Sequence, residues 1–151
     1  MYKRKFTIAL VTAMVMTIAM VVVAYAEYVY APAWNEGTGR YTQVYEMSIG
    51  TNWRYTASVS NYSVQKKFPE RDCLVQCTYN GLTTFPTYYQ VYIAYETFPV
   101  TEEINFTGTG THTLDFPYAI NASNEMSLGI RHDPRDNSNR INRGNWSPDT
   151  Y

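Results

Sequence analysis

The sequence predicts an all-β protein: an antiparallel β-sandwich of about seven or eight short strands, preceded by an N-terminal signal helix. Three observations predict it. Tyr is unusually frequent, 15 in 151 residues, and with recurring Thr and Val it gives the composition of strands. Apolar and polar residues alternate in runs about ten residues apart, separated by Gly, Pro, Asn and Asp turn signals. No segment after residue 26 sustains the 3.6-residue period of an amphipathic helix.

Residues 1–26 read as a secretory signal. Met1-Tyr2-Lys3-Arg4-Lys5 is a basic head, Phe6 to Val23 carries no charge, and Ala24-Tyr25-Ala26 is a small-x-small cleavage triplet. Cleavage leaves Glu27 as the first residue of a single secreted domain, 27–151, of ordinary size for one core. The alternative is an uncleaved anchor, because the apolar run is nearly long enough to span a bilayer. The membrane is then met only through this segment before cleavage. Without Lys3, Arg4 and Lys5 the domain holds nine basic against 13 acidic residues, a net charge near −4. That balance argues against nucleic acid and against electrostatic attachment to an anionic membrane.

The strands follow in order. Residues 27–40 begin with a short strand and end in a polar loop. Tyr41 to Ile49 alternates, Gly50-Thr51-Asn52 is a turn signal, and Trp53 to Tyr62 alternates again, so the pair reads as a hairpin. Residues 63–71 read as a polar connection. Cys73 to Tyr79 alternates and runs into Asn80-Gly81, the strongest two-residue hairpin signal, with Leu82 to Phe85 returning. Thr87 to Tyr95 is a longer apolar and aromatic strand. Ile104 to Thr107 and Thr111 to Phe116 form a further strand–turn–strand around Gly108-Thr109-Gly110. Asn124 to Arg131 carries Met126, Leu128 and Ile130 on one face, with Gly129 as a bulge position. Asn139 to Trp146 is the last strand.

Cys73 and Cys77 lie four apart in a strand, a span of about 13 Å, beyond the roughly 7 Å reach of a disulfide. They are expected as two buried free thiols on one face.

The chain's close, Leu128-Gly129-Ile130-Arg131 followed by Gly144-Asn145-Trp146-Ser147-Pro148-Asp149, resembles the end of small secreted proteins of Gram-positive bacteria that finish on Gly-x-Trp-Ser-Pro-Asp. Thr51-Asn52-Trp53-Arg54 is similar to an early strand start in the same group. Some similar exported proteins are lactococcin-like bacteriocins. The resemblance covers about a third of the chain and implies export, a bacterial source and an antibacterial role; it transfers no catalytic residue.

No residue set calls for a cofactor. His132-Asp133 could pair as base and orienter, yet neighbours on a strand point to opposite faces, and no serine sits in a nucleophile elbow. Asp133, Asp136, Asn137 and Asn139 place oxygens in one loop, but their spacing is not that of a calcium loop and suits a turn. Neither a catalytic nor a metal residue is therefore assigned. Trp34, Trp53, Tyr88, Tyr92 and Trp146 are the candidate binding residues, as a platform for sugar rings, set against ordinary cross-strand aromatic pairing. The expected function is that of an exported non-enzymatic protein, bacteriocin-like or acting at the cell envelope on a cell-wall or bacterial surface target. The alternative is a carbohydrate or cell-wall binding module that uses exposed aromatics.

Overall fold

The computed structural model describes residues 27–81, 84–96 and 98–150; the predicted signal segment lies outside them. Among the described residues eleven strands form two antiparallel sheets packed face to face, as the alternation predicts. The count exceeds seven or eight because several strands are only two or three residues long. The first sheet contains β1 (Tyr28–Val29), β3 (Arg40–Ile49), β11 (Arg140–Ser147), β6 (Cys73–Asn80) and β9 (Gly110–Leu114) in that order, with β2 (Ala33–Asn35) also on β3. The second runs β4 (Arg54–Tyr55), β10 (Glu125–His132), β7 (Thr87–Ile93) and β8 (Ile104–Phe106), with β5 (Val64–Gln65) also on β10.

Alternation puts Tyr45, Met47, Ile49, Cys73, Val75, Cys77 and Trp146 of the first sheet against Val64, Tyr89, Val91, Met126, Leu128 and Ile130 of the second, all buried in one cluster. Both cysteines are free thiols on the inward face of β6, as expected. A polar knot crosses this core: the Asn142 amide donates to the Tyr89 hydroxyl at 2.9 Å and lies 3.6 Å from Cys77 Sγ. At the sandwich margin, the rings of Tyr89, Phe106 and His112 stack at 4.6 and 3.8 Å and bridge the two sheets.

The expected hairpins are not hairpins. Segment 50–52 carries the chain from β3 in one sheet to β4 in the other. The predicted strand Trp53 to Tyr62 is interrupted: β4 and β5 pair with opposite ends of β10, and a single helical turn, α1 (Thr56–Ser60), loops out between them. Side chains take over the ladder there. Ala57 N–H donates to Ser127 Oγ at 3.1 Å, and Leu128 N–H donates to Thr56 Oγ1 at 3.2 Å. Asn61 closes the turn in the left-handed region, φ 58°.

Asn80-Gly81 likewise makes no two-residue turn. Neither residue has positive φ, Gly81 N–H donates to Ile141 O at 2.9 Å, and the chain passes to β7 in the opposite sheet. Thr84 and Phe85 are bends rather than a returning strand, and 82–83 lie outside the described residues. The turn at Gly108 (φ 83°) also crosses between sheets, from β8 to β9. Strand β7 ends at Ile93, and Tyr95 adopts φ 66°. The register across Gly129 is continuous, so it is no bulge; the irregularity falls at Arg143/Gly144, between β11 and β6. Residues 63–71, expected as a polar connection, contain β5 and the fully buried Lys66.

Candidate functional site

The outward face of the second sheet carries a row of partly exposed aromatic and charged side chains. In β10 the even residues 126–132 enter the core, so Ser127, Gly129 and Arg131 face outward. Register then fixes their neighbours: Arg131 lies opposite Tyr88, Gly129 opposite Gln90 and Tyr55, and Ser127 opposite Tyr92. Trp53 extends the row beyond β4. The Arg131 guanidinium lies 5.0 Å from the Trp53 ring and 4.2 Å from the Tyr88 ring, and Glu103 holds it at 2.9 Å. Next to this stack, Tyr92 packs edge-on to Trp53 (6.1 Å) and Tyr55 (4.8 Å). Gly129 leaves room for that packing: a Cβ there would lie 2.7 Å from Tyr92 Cε2 and 3.2 Å from Tyr55 Cε1, so the rings would have to shift.

Second-layer bonds fix the platform. Tyr92 donates its hydroxyl to Gln90 Oε1 at 2.8 Å, and the Gln90 amide donates to Thr101 O at 3.0 Å. Tyr88 donates to Asp133 Oδ2 at 3.0 Å; Asp133 is also clasped by Arg135 through Nε at 2.7 Å and Nη2 at 2.8 Å. Arg135 holds the Asp133 carboxyl well below the usual carboxylate range, so it accepts as an anion. Burial and the Asp133 charge push the Tyr88 phenol up, keeping it a donor.

Two clefts share the Glu27–Arg54 pair as lining. One, of about 370 Å³, is lined by Trp53, Tyr55, Ser58 and Val59. The other, of about 250 Å³, is lined by Ser48, Thr51, Asn52, Asn137 and Asn139. Glu27 and Arg54 line both and form the wall between them, an ion pair at 2.5 Å. The Trp53 and Tyr55 rings thus line a cleft with the Ser58 hydroxyl and an ion pair, and that pair also lines a second cleft rich in amides and hydroxyls.

Of the residues singled out from sequence, Trp53, Tyr88 and Tyr92 come together here. Tyr92 is only 3 % exposed and serves as the floor of the platform rather than its surface. Trp34 lies on β2 in the other sheet, against Tyr41 at 5.1 Å and Lys67 at 5.7 Å. Trp146 is a core residue, 1 % exposed, with its indole N–H donating to Gln43 Oε1 at 3.0 Å; a ligand on the surface does not reach it. Tyr55, Arg131, Glu103 and the Glu27–Arg54 pair were missed. Their spacing in sequence carries no signal, since only the register of β4, β10 and β7 collects them.

The residues weighed for catalysis are engaged otherwise. The other histidine, His112, shares the inner face of β9 with Leu114 and stacks on Phe106. His132 is fully buried, and Asp133 bonds Arg135 and Tyr88 rather than the imidazole. Among the described residues no three His, Cys, Asp or Glu side chains converge as metal ligands. No protein-family model, no curated protein and no solved structure matches this chain.

Proposed function

We propose that the chain is an exported, non-enzymatic protein of a Gram-positive bacterium that acts at the cell envelope by binding a carbohydrate or cell-wall polymer. The observation that carries this reading is Trp53, a partly exposed ring that stacks with Arg131 and lines a cleft closed by Ser58 and the Glu27–Arg54 ion pair, a pair that also lines a second, amide-rich cleft. Flat apolar ring faces and converging donors and acceptors are what pyranose rings offer surfaces to bind. The basic, apolar and Ala-x-Ala segments of residues 1–26 support export.

The closing motif behind the bacteriocin-like resemblance is taken up by packing: Trp146 fills the core and Asp149 is fully buried. It therefore lends an antibacterial reading no surface residue of its own. The test is co-sedimentation of the purified protein with insoluble peptidoglycan and with a panel of insoluble polysaccharides. Retention on at least one, lost in Trp53→Ala with the fold intact, is the expected result. Retention on none, together with clear zones on lawns of related strains, would replace this reading with the antibacterial one.

A further inference from the structure

We propose that Lys66 and Asp149 condense into an intramolecular amide that covalently joins the two sheets. Lys66 follows β5 of the second sheet, and Asp149 follows β11 of the first. Alternation from the buried Val64 turns the Lys66 side chain inward. Its backbone is fixed on both sides, donating to Asn124 O at 2.9 Å and accepting from Ser123 N–H at 2.8 Å. Both side chains are fully buried, with Nζ 3.0 Å from Asp149 Oδ1, an ion pair that holds the amine beside the carboxyl group it would attack.

The surroundings suit condensation. Lys67 N–H donates to Asp149 Oδ2 at 2.9 Å and Phe68 N–H to Oδ1 at 3.0 Å, so one backbone donor awaits the oxyanion on Oδ2 while the other orients the departing Oδ1. The Phe116 ring lies 4.5 Å from Nζ and covers it with an apolar surface. Nζ also donates to Arg71 O at 2.5 Å and Pro148 O at 2.7 Å, which aim the amine. Burial pushes the amine down from its ordinary 10.5, with Asp149, Cys73 and Asp72 pulling the other way. Two charges held in a dry site are opposed by desolvation. Condensation removes both, so that opposition becomes a driving force.

The step balances without a co-reactant. The ammonium passes one proton to Oδ1, giving amine and carboxylic acid. The Nζ lone pair attacks Cγ, forming the C–N bond while the second oxygen takes up the oxyanion. A second proton moves from Nζ to Oδ1, and the Cγ–Oδ1 bond breaks with its electron pair on oxygen. One water leaves, and the amide keeps one N–H.

The test is peptide mapping by mass spectrometry of the chain as isolated from a producing host, held folded at neutral pH for days and then denatured and digested with trypsin. The expected product is residues 55–67 joined to residues 144–151, lighter by one water than the two peptides together, with no cut after Lys66. Separate peptides of full mass, cut after Lys66, overturn the proposal. So does a water loss confined to one peptide, which an Asp or N-terminal Glu cyclisation produces. Lys66→Arg keeps a cation among the same carbonyls and is expected to give only separate peptides; a linked pair in that variant also overturns it.

Discussion

His132 shows how much one side chain's surroundings decide. Its ring is fully buried at the end of β10, and neither ring nitrogen makes a hydrogen bond of good geometry. Burial pushes its proton affinity below the ordinary 6.5; Arg140 acts in the same direction, while the Ser138 backbone and Asp136 oppose it. The unfolded chain therefore binds a proton near 6.5 that the folded chain takes only at lower pH. Between those two values the unfolded state holds more protons, so stability rises with pH and is lost as pH falls through that window. The urea midpoint should be lower at about pH 5 than at about pH 8. His132→Gln, which carries no titrating ring, should flatten that difference, and a slope unchanged in the variant would contradict the assignment. From sequence His132 could be read only as a possible base beside Asp133; its burial depends on strand phase, which places Met126, Leu128 and Ile130 on the same face.

Two glycines separate element from element. Gly144 sits at the register shift between β11 and β6, where a Cβ would lie 2.0 Å from Gln76 O and 2.8 Å from Tyr45 Oη. Gly144→Ala must push these central strands apart and should cost about 1–3 kcal/mol or more, read from denaturant midpoints. Gly129→Ala meets only ring edges, which can move, so a smaller loss is expected there. Equal losses would contradict this account of the bulge. Strand positions were legible at this scale because a period of two is visible in one segment, as Tyr45, Met47 and Ile49 show. Partners were not. Gly50-Thr51-Asn52 and Asn80-Gly81 look alike whether the next strand returns beside its predecessor or crosses to the facing sheet. That choice depends on burying the apolar face of β4 and β7 against the first sheet, which local turn chemistry does not encode. Thr56 and Ser127 are a further case: a helical turn replaced the expected strand because two hydroxyls, 71 positions apart, met and bonded the backbone.

At the scale of the whole molecule, a sandwich built from short strands leaves one sheet face to packing and the other to solvent, and here the second sheet's outer face gathers Trp53, Tyr88, Arg131 and Glu103. Tyr88 and Tyr92 were legible as one face of a strand. Arg131 and Trp53 became their neighbours only through the β4–β10–β7 order. The proposed binding face stands or falls with Trp53. The most direct measurement is tryptophan emission of a Trp34→Phe variant titrated with soluble cell-wall glycan fragments; Trp146 lies in the core, which leaves Trp53 as the responsive indole. The account predicts a saturable change in emission that disappears when Trp53→Phe is added. A titration with no change, or a change that survives in the double variant, would contradict it.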